Sequence, residues 1–421
     1  MLHADHARLC RIADKLAAAR ALPVLPDAFG VEAHGFELGP PLSEAVVTEF
    51  EERHEVTLPA EYRLFVTELG DGGVGPGFGL RRLDTSCCTH HRSGHLAQPS
   101  PYLPGPRYVD DWEERYEDPP VPDRAFLRGT LEIAGHGCSL VTRLTVAGPA
   151  RGRLFNLDHE GPVGPYVVED ADFLAWYERW LDEAVAGYDV GWFGERLPLE
   201  EAELVALLTD EPSSERRARA GESLLQLPAV SEGGWAVLVD AVITDAHPTV
   251  RAVLWDLLRW QRHRHGRPLD DAEAIADDIA RHARSYAPPD LKALGILRRL
   301  TFADLLPEVM CYDLERRRRA AYRLAWEPWE FRREDIQQNV LVDVASGLLN
   351  DDDPVLRSHG VVVVRQFSLT CLHSVLRRLQ KTETGPWVRH HIDWCFDESS
   401  TRMWGGPPTM MMQGFSEDPP F

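Results

Sequence analysis

Residues 42–80, LSEAVVTEFEERHEVTLPAEYRLFVTELGDGGVGPGFGL, constrain the chain more than any other stretch. Ser43 is a good helix N-cap, and Val46, Val47 and Phe50 follow at the three-and-four spacing of one helical face. Leu58-Pro59 starts a second helix, because proline at the first helical position fixes φ without sacrificing a needed hydrogen bond. Tyr62, Phe65, Val66 and Leu69 line one face of that helix, and Gly70-Asp71-Gly72-Gly73 ends it, since glycine enters the left-handed backbone without penalty. The chain then returns through Gly75-Pro76-Gly77 into Phe78-Gly79-Leu80. A phosphate-binding glycine loop needs a strand before its glycines and a helix after them; here the order is reversed, which argues against that use.

Two later patches extend the pattern: GTLEIAGHGCSLVTRLTVAGPARGRLFNLD at 129–158 and DFLAWYERWLDEAV at 172–185. Together with VTEFEERH, LPAEYRLFVTELGDGG and GPGFGL, they resemble the SUKH superfamily. That domain is shared by fungal cell-wall synthesis regulators of the Smi-Knr type and by many bacterial immunity proteins. The resemblance covers roughly the first half of the chain. It implies an α+β fold, a small antiparallel sheet with flanking helices, and carries no catalytic signature. The family usually has Asn-Gly-Gly where this chain has Asp71-Gly72-Gly73, a change that keeps the turn chemistry.

At 421 residues two domains are expected, each able to bury a core. No apolar run approaches the roughly eighteen residues of a membrane helix. The first twenty residues place leucine and isoleucine at helical spacing, so they are expected to form an amphipathic helix and not a signal peptide, and the protein is expected in the cytoplasm. Seven cysteines, none in a Cys-x-x-Cys pair, argue against a disulfide framework and a zinc ribbon. The net charge is −22; residues 1–197 hold 18 basic and 32 acidic side chains, hence −14, and the remainder holds −8. Both halves repel polyanions, so nucleic acid is excluded as a partner and a basic protein is favoured.

Cys87, Cys88, His90, His91 and His95 form the one cluster of possible metal ligands. Adjacent residues in extended backbone project oppositely, so no metal and no cofactor is expected. Residues 99–128 are rich in proline and acid. Asp110, Asp111, Glu113 and Glu114 interleave there with Trp112 and Tyr116, the composition of a surface that steers a basic partner and grips it with aromatic area. Leu131, Ile133, Leu140, Leu144, Val146, Leu154 and Phe155 predict strands; His136 and Cys138, in the glycine turn between two of them, are expected as packing residues. Phe173, Trp176, Tyr177, Trp180 and Leu181 predict an aromatic core stripe on a helix, and the glycines and proline of 187–198 predict a connection between domains.

From 199 to 396 strands give way to helical patterns with short acidic or proline breaks. DAHPTVR at 245–251 and DDDPVLR at 351–357 each run Asp, two residues, Pro, one residue, an apolar residue and Arg, and Arg216, Arg317 and Arg389 mark degenerate copies, with room for one more unit near 291–300. This resembles a HEAT-type helical repeat, in which the acidic residue caps the turn and the arginine reaches a neighbouring repeat. The arginine runs at 316–319 and 259–267 are expected to pair within the array or face solvent. No elbow serine or His-Glu-x-x-His motif is present. The expected organisation is a SUKH-like domain at 1–190, an all-α HEAT-like solenoid at 198–396 and a flexible tail at 397–421. The resemblance implies a non-catalytic interaction protein of the immunity type that occludes a toxin domain; a regulatory scaffold without a toxin, or an enzyme, is the alternative.

Overall fold

A computed structural model describes residues 2–22, 30–84, 94–101, 127–137, 140–158, 166–265, 269–326 and 336–396. The chain divides into two compact units, one of residues 1–239 with 263–266 and one of 240–262 with 267–421.

In the first unit, α1 (Leu2–Arg20), α2 (Val31–His34), α3 (Glu44–His54) and α4 (Ala60–Glu68) precede β1 (Thr130–Gly137), β2 (Leu140–Thr145), β3 (Leu154–Asp158) and β4 (Tyr166–Val167). α5 (Phe173–Ala186) follows the sheet. Ser43 caps α3 by accepting from Val46 N, and Asp172 caps α5 by accepting from Ala175 N. The strands form an antiparallel meander in the order β1-β2-β3-β4. Phe173, Trp176, Tyr177 and Trp180 are fully buried against Tyr62, Phe65 and the sheet, so the aromatic stripe is core as expected. Tyr177 Oη donates to Val74 O at 2.9 Å, which fastens the glycine turn to the middle of α5. Arg8, Arg11 and Lys15 of α1 meet Asp172, Glu178 and Asp182, closing the N-terminal helix over the outer side of α5.

The glycine turn is a packing device. At Gly77, φ is +58° and a Cβ would stand 2.5 Å from Gly135 O; at Gly79, φ is +93° and a Cβ would stand 2.2 Å from Gly73 O. Only glycine fits either place. Asp71 is buried and its carboxylate accepts from Leu83 N at 2.9 Å. Burial raises its pKa, partly opposed by that bond. A carboxyl raised in the fold ionises more readily in the unfolded chain, so stability is lost as pH climbs above the ordinary carboxylate range. An asparagine in its place would keep the acceptor without the charge. Asp71→Asn is expected to stabilise the protein at neutral pH by about 1 kcal/mol, roughly 2–4 °C in melting temperature, with the gain vanishing in acid; thermal melts across pH check this.

The segment at 187–198 is not an open linker. Asp189 N donates to Gln226 O at 2.8 Å, Leu197 N to Ser223 Oγ at 2.9 Å, and Arg219 Nε to Glu195 O at 3.0 Å. It is thereby strapped to α7 (Ser214–Leu225), which packs on α6 (Glu201–Asp210). Both helices belong to the first unit, and the division falls later than the sequence suggested, inside α8 (Glu232–Thr244). The hydrogen bonds explain the difference: a boundary needs few cross-contacts, and this glycine-rich segment makes several.

The second unit contains the end of α8, all but the last three residues of α9 (Pro248–His265), and then α10 (Ala272–Arg284), α11 (Leu291–Ile296), α12 (Phe302–Val309), α13 (Leu314–Trp326), α14 (Gln338–Leu349) and α15 (Pro354–Gln366). A 3-10 turn at Thr370–Leu372 leads to α16 (His373–Thr382) and α17 (Pro386–Phe396). α13 packs on α12 and α15, and α15 on α14 and α17, a stack of helix pairs.

Across the described helices the turns repeat in one respect. The amides of Arg217, Arg251, Arg317, Arg357 and Arg389 each donate to the carbonyl four residues back, at Ser213, His247, Asp313, Asp353 and Gly385. The repeated arginine therefore sits four residues past the cap, and in the first copy it is Arg217, not Arg216. Arg217 and Arg357 donate to carbonyls five and six residues behind them. Arg251 reaches Asp278 and Arg357 reaches Glu383, 27 and 26 residues onward. At 291–300, where the spacing left room for one more unit, α11 is capped by Asp290, and the residue four past that cap is Leu294, not arginine. In the arginine run, Arg316 pairs with Glu308, Arg317 with Asp351 and Arg318 with Asp353.

Candidate functional site

The acidic aromatic segment predicted to bind a partner, Asp110, Asp111, Trp112, Glu113, Glu114 and Tyr116, lies outside the described residues. So do Cys87, Cys88, His90 and His91, while His95 is buried. Among the described residues no three His, Cys, Asp or Glu side chains converge as a metal site requires. His136 is a core histidine: its Nε2 lies 2.7 Å from Thr142 Oγ1, Thr142 donates to Asn156 Oδ1, and Asn156 Nδ2 donates to Phe193 O. Because the Thr142 hydroxyl proton goes to Asn156, Nε2 of His136 is the donor and the ring is neutral. Burial pushes its pKa down to about 4.

The geometry gathers a different set of residues. β1 carries two register irregularities, between Glu132 and Ala134 and between Gly135 and Gly137, which bend its end away from a flat course. The return limb of the glycine turn pairs with that bent edge: Phe78 N donates to Gly135 O at 2.8 Å and Arg81 N to Ile133 O at 2.9 Å. A groove of about 440 Å³ opens where the limb meets the hairpin, lined by Phe78, Arg81, Arg82, Gly135, Gly137 and Val141. Phe78 is 53% exposed, unusual for an aromatic held between two rigid glycine bends. Its position is fixed from both sides, by the tight approach of Gly77 to β1 and of Gly79 to Gly73.

Arg81 is anchored at the groove. Its Nε pairs with Glu132, whose other oxygen accepts from Arg143 NH1 at 3.3 Å. Arg143 Nε donates to Thr130 Oγ1 at 2.9 Å. Glu132, Arg143, Thr130 and Thr145 stand on one face of the sheet, which the polar alternation of the strands would place in solvent, yet all four are buried. A Cβ at Gly135 would come within 3.3 Å of the Arg81 guanidinium, so the glycine leaves the space in which that group rests.

Two more groups of titratable residues were not foreseen. In the first unit, Glu195 is pushed up to about 8 by burial and by Glu222, against the pull of Arg219. Close by, the Arg179 fork holds both oxygens of Asp170 at 2.9 and 2.6 Å and Glu183 at 3.0 Å. In the second unit, Ser358 Oγ lies 2.6 Å from His391 Nδ1, and Trp326 Nε1 donates to His359 Nδ1 at 3.3 Å. Ser358 is 4% exposed and His391 8%, so this buried serine–histidine pair joins two helices. For the groove, the sequence signal available was an arginine and a glutamate placed inside otherwise apolar strands, with a phenylalanine between two glycines.

No family model matches the chain, and no curated protein or solved structure matches it significantly. The described residues contain no helix long and apolar enough to cross a membrane. What the fold itself defines is a mostly helical α/β protein with one small four-stranded antiparallel sheet.

Proposed function

We propose that this chain is a non-catalytic, cytoplasmic protein-binding protein of the immunity type, which holds a toxin domain and blocks it by occupation. In this reading the first unit is a SUKH-type domain and the capped helix pairs that follow are a HEAT-type array. The observation that carries the proposal is the groove beside β1, lined by Phe78, whose ring is half exposed and whose backbone is bonded to Gly135. An aromatic anchor whose backbone is already ordered loses little entropy on binding and is the kind of residue that dominates interface energetics. Occlusion needs no chemistry beyond complementary shape and charge, and the net charge of −22 favours a basic partner.

Growth rescue provides the test. Co-expression with the toxin-like product of an adjacent reading frame should restore growth, and purified chain should bind that product. Phe78→Asp is expected to weaken binding by at least about tenfold, the effect of losing a modest hot spot, without lowering the melting temperature. Tight binding that ignores the substitution would move the site elsewhere on the molecule. Failure to bind any such product would remove the immunity reading.

A further inference from the structure

α16 has two faces of opposite character. Leu372, Val375, Leu376 and Leu379 recur at the three-and-four spacing of one side; Leu372 and Leu376 are buried, Val375 and Leu379 partly so. The opposite side repeats that spacing with Ser374, Arg377, Arg378 and Lys381, and all four are exposed. At 1.5 Å of rise per residue, the three cations fall within about 6 Å along the helix axis.

Elsewhere in the second unit clustered arginines find carboxylates. Arg299 bonds Glu273 and Asp277, Arg284 bonds Asp304, and Arg316, Arg317 and Arg318 meet Glu308, Asp351 and Asp353. On α16, among the described residues, no aspartate or glutamate pairs with Arg377, Arg378 or Lys381. Glu383, the nearest acid in sequence, is buried and held by Arg357, and Asp393 of α17 accepts from the Gln380 amide. Arg377 lies over the Phe396 ring, 5.2 Å from its centre, a contact that sets its place and leaves its charge unneutralised. Lys381, in the last turn, suits the helix dipole. Yet Arg377 and Lys381 stand four residues apart, and Arg378 and Lys381 three, where like charges repel across the helix surface. In a chain with 67 acidic and 45 basic side chains, the fold leaves that repulsion uncompensated.

We infer that the outer face of α16 binds a short acidic segment of a protein, with two or three carboxylates set against Arg377, Arg378 and Lys381. This partner is opposite in charge to the basic one proposed above, and the inference does not rest on that reading. Complementary charge selects the acid, and the size of the patch selects a short segment. A nucleic acid or an anionic membrane would extend its charge past so small a patch, over a body of net charge −22 that repels it within a Debye length of about 8 Å.

Fluorescein-labelled hexaglutamate, titrated with the full chain at about 50 mM salt and read by anisotropy, tests this. The unsubstituted chain should bind it. Arg378→Glu, which removes one attraction and adds one repulsion, should weaken binding at least about fivefold, with Arg378→Gln between the two. Raising the salt to about 0.5 M should cause a loss of similar size. Arg319→Glu makes the same change in net charge at an exposed position on α13 and should leave binding as it was. All three substitutions change exposed side chains, and unchanged melting temperatures verify that the variants fold. No binding by the unsubstituted chain, equal binding by Arg378→Glu, or an equal loss in Arg319→Glu would overturn the inference. So would tighter binding of a labelled thymidine hexanucleotide, or of phosphatidylserine vesicles, that is lost in Arg378→Glu; the face would then belong to a nucleic acid or a membrane.

Discussion

Arg179→Ala is expected to destabilise the first unit by about 3–5 kcal/mol, the cost of removing one partner from a buried ion pair. The guanidinium grips both oxygens of Asp170, bonds Glu183, and lies 4.4 Å above the Phe193 ring. Glu183 keeps a second partner in Arg196, which stacks on Tyr188. Asp170, 7% exposed, would retain a desolvated carboxylate facing the vacated space. The penalty therefore comes mostly from Asp170, and adding Asp170→Asn to Arg179→Ala should recover about half of it, because a neutral amide tolerates burial better than an ion does. Urea titration of the single and double variants measures both numbers. Equal stabilities of the two would show that the cation–π contact and packing, not the stranded carboxylate, set the cost.

A second large effect is expected on acidification. His359 is held down to about 3 by burial, with His391 adding repulsion, Asp353 pulling the other way and Arg318 pushing with the burial; His391 is held down to about 4 by burial and by His390. Both folded values lie below the unfolded value of about 6.5, so the unfolded chain takes up protons first. The contribution of these two histidines is complete above about pH 6.5 and falls as pH drops toward 4, by up to about 1.4 kcal/mol per histidine per pH unit. Charge is only half of the reason. Nδ1 of His359 accepts from Trp326 Nε1, so a proton placed there would confront a donor with a donor. The carboxylates of Asp353 and Glu383, lowered by Arg318 and Arg357, add to the loss only at still lower pH. Chemical denaturation at several pH values, followed by tryptophan fluorescence, should show the decline, and His359→Gln with His391→Gln should flatten it. A decline of the same size in the wild type and in the double variant would contradict the burial of these rings.

Periodicity carried much of the secondary structure, because it depends on neighbours three or four residues away. Ser43, Pro59, Asp172 and Asp353 mark helix starts through backbone chemistry that any context would allow. The alternation of 130–158 marked strands for the same reason. The capped turns expected from 199 onward include one at Ser213, where the arginine four residues past the cap is Arg217 and not Arg216. Arg216 and Arg217 are adjacent, and the sequence does not say which points back along the turn; Arg216 instead reaches Glu169, far away in the chain.

The candidate groove was hidden for a different reason. The sequence placed Phe78 only in the returning limb of the glycine turn, and its exposure depends on how Gly77 and Gly79 pack against β1 and Gly73. Strand alternation sets Glu132 and Arg143 opposite the apolar Leu131 and Leu144, yet both are buried, with Glu132 paired to Arg81 and Arg143. Likewise the glycines at 187–198 promised a loose connection, and hydrogen bonds to Gln226 and Ser223 made it a strap.

By itself the sequence determined the caps, the helical and strand periods, the glycine-only turn and the acidic balance, all properties of local backbone preference or of simple sums. Tertiary structure alone decided which polar side chains are buried, which arginine serves each repeat, and that Phe78 faces outward beside two arginines. Those outcomes depend on atoms brought together from distant parts of the chain, where desolvation and close packing outweigh local preference.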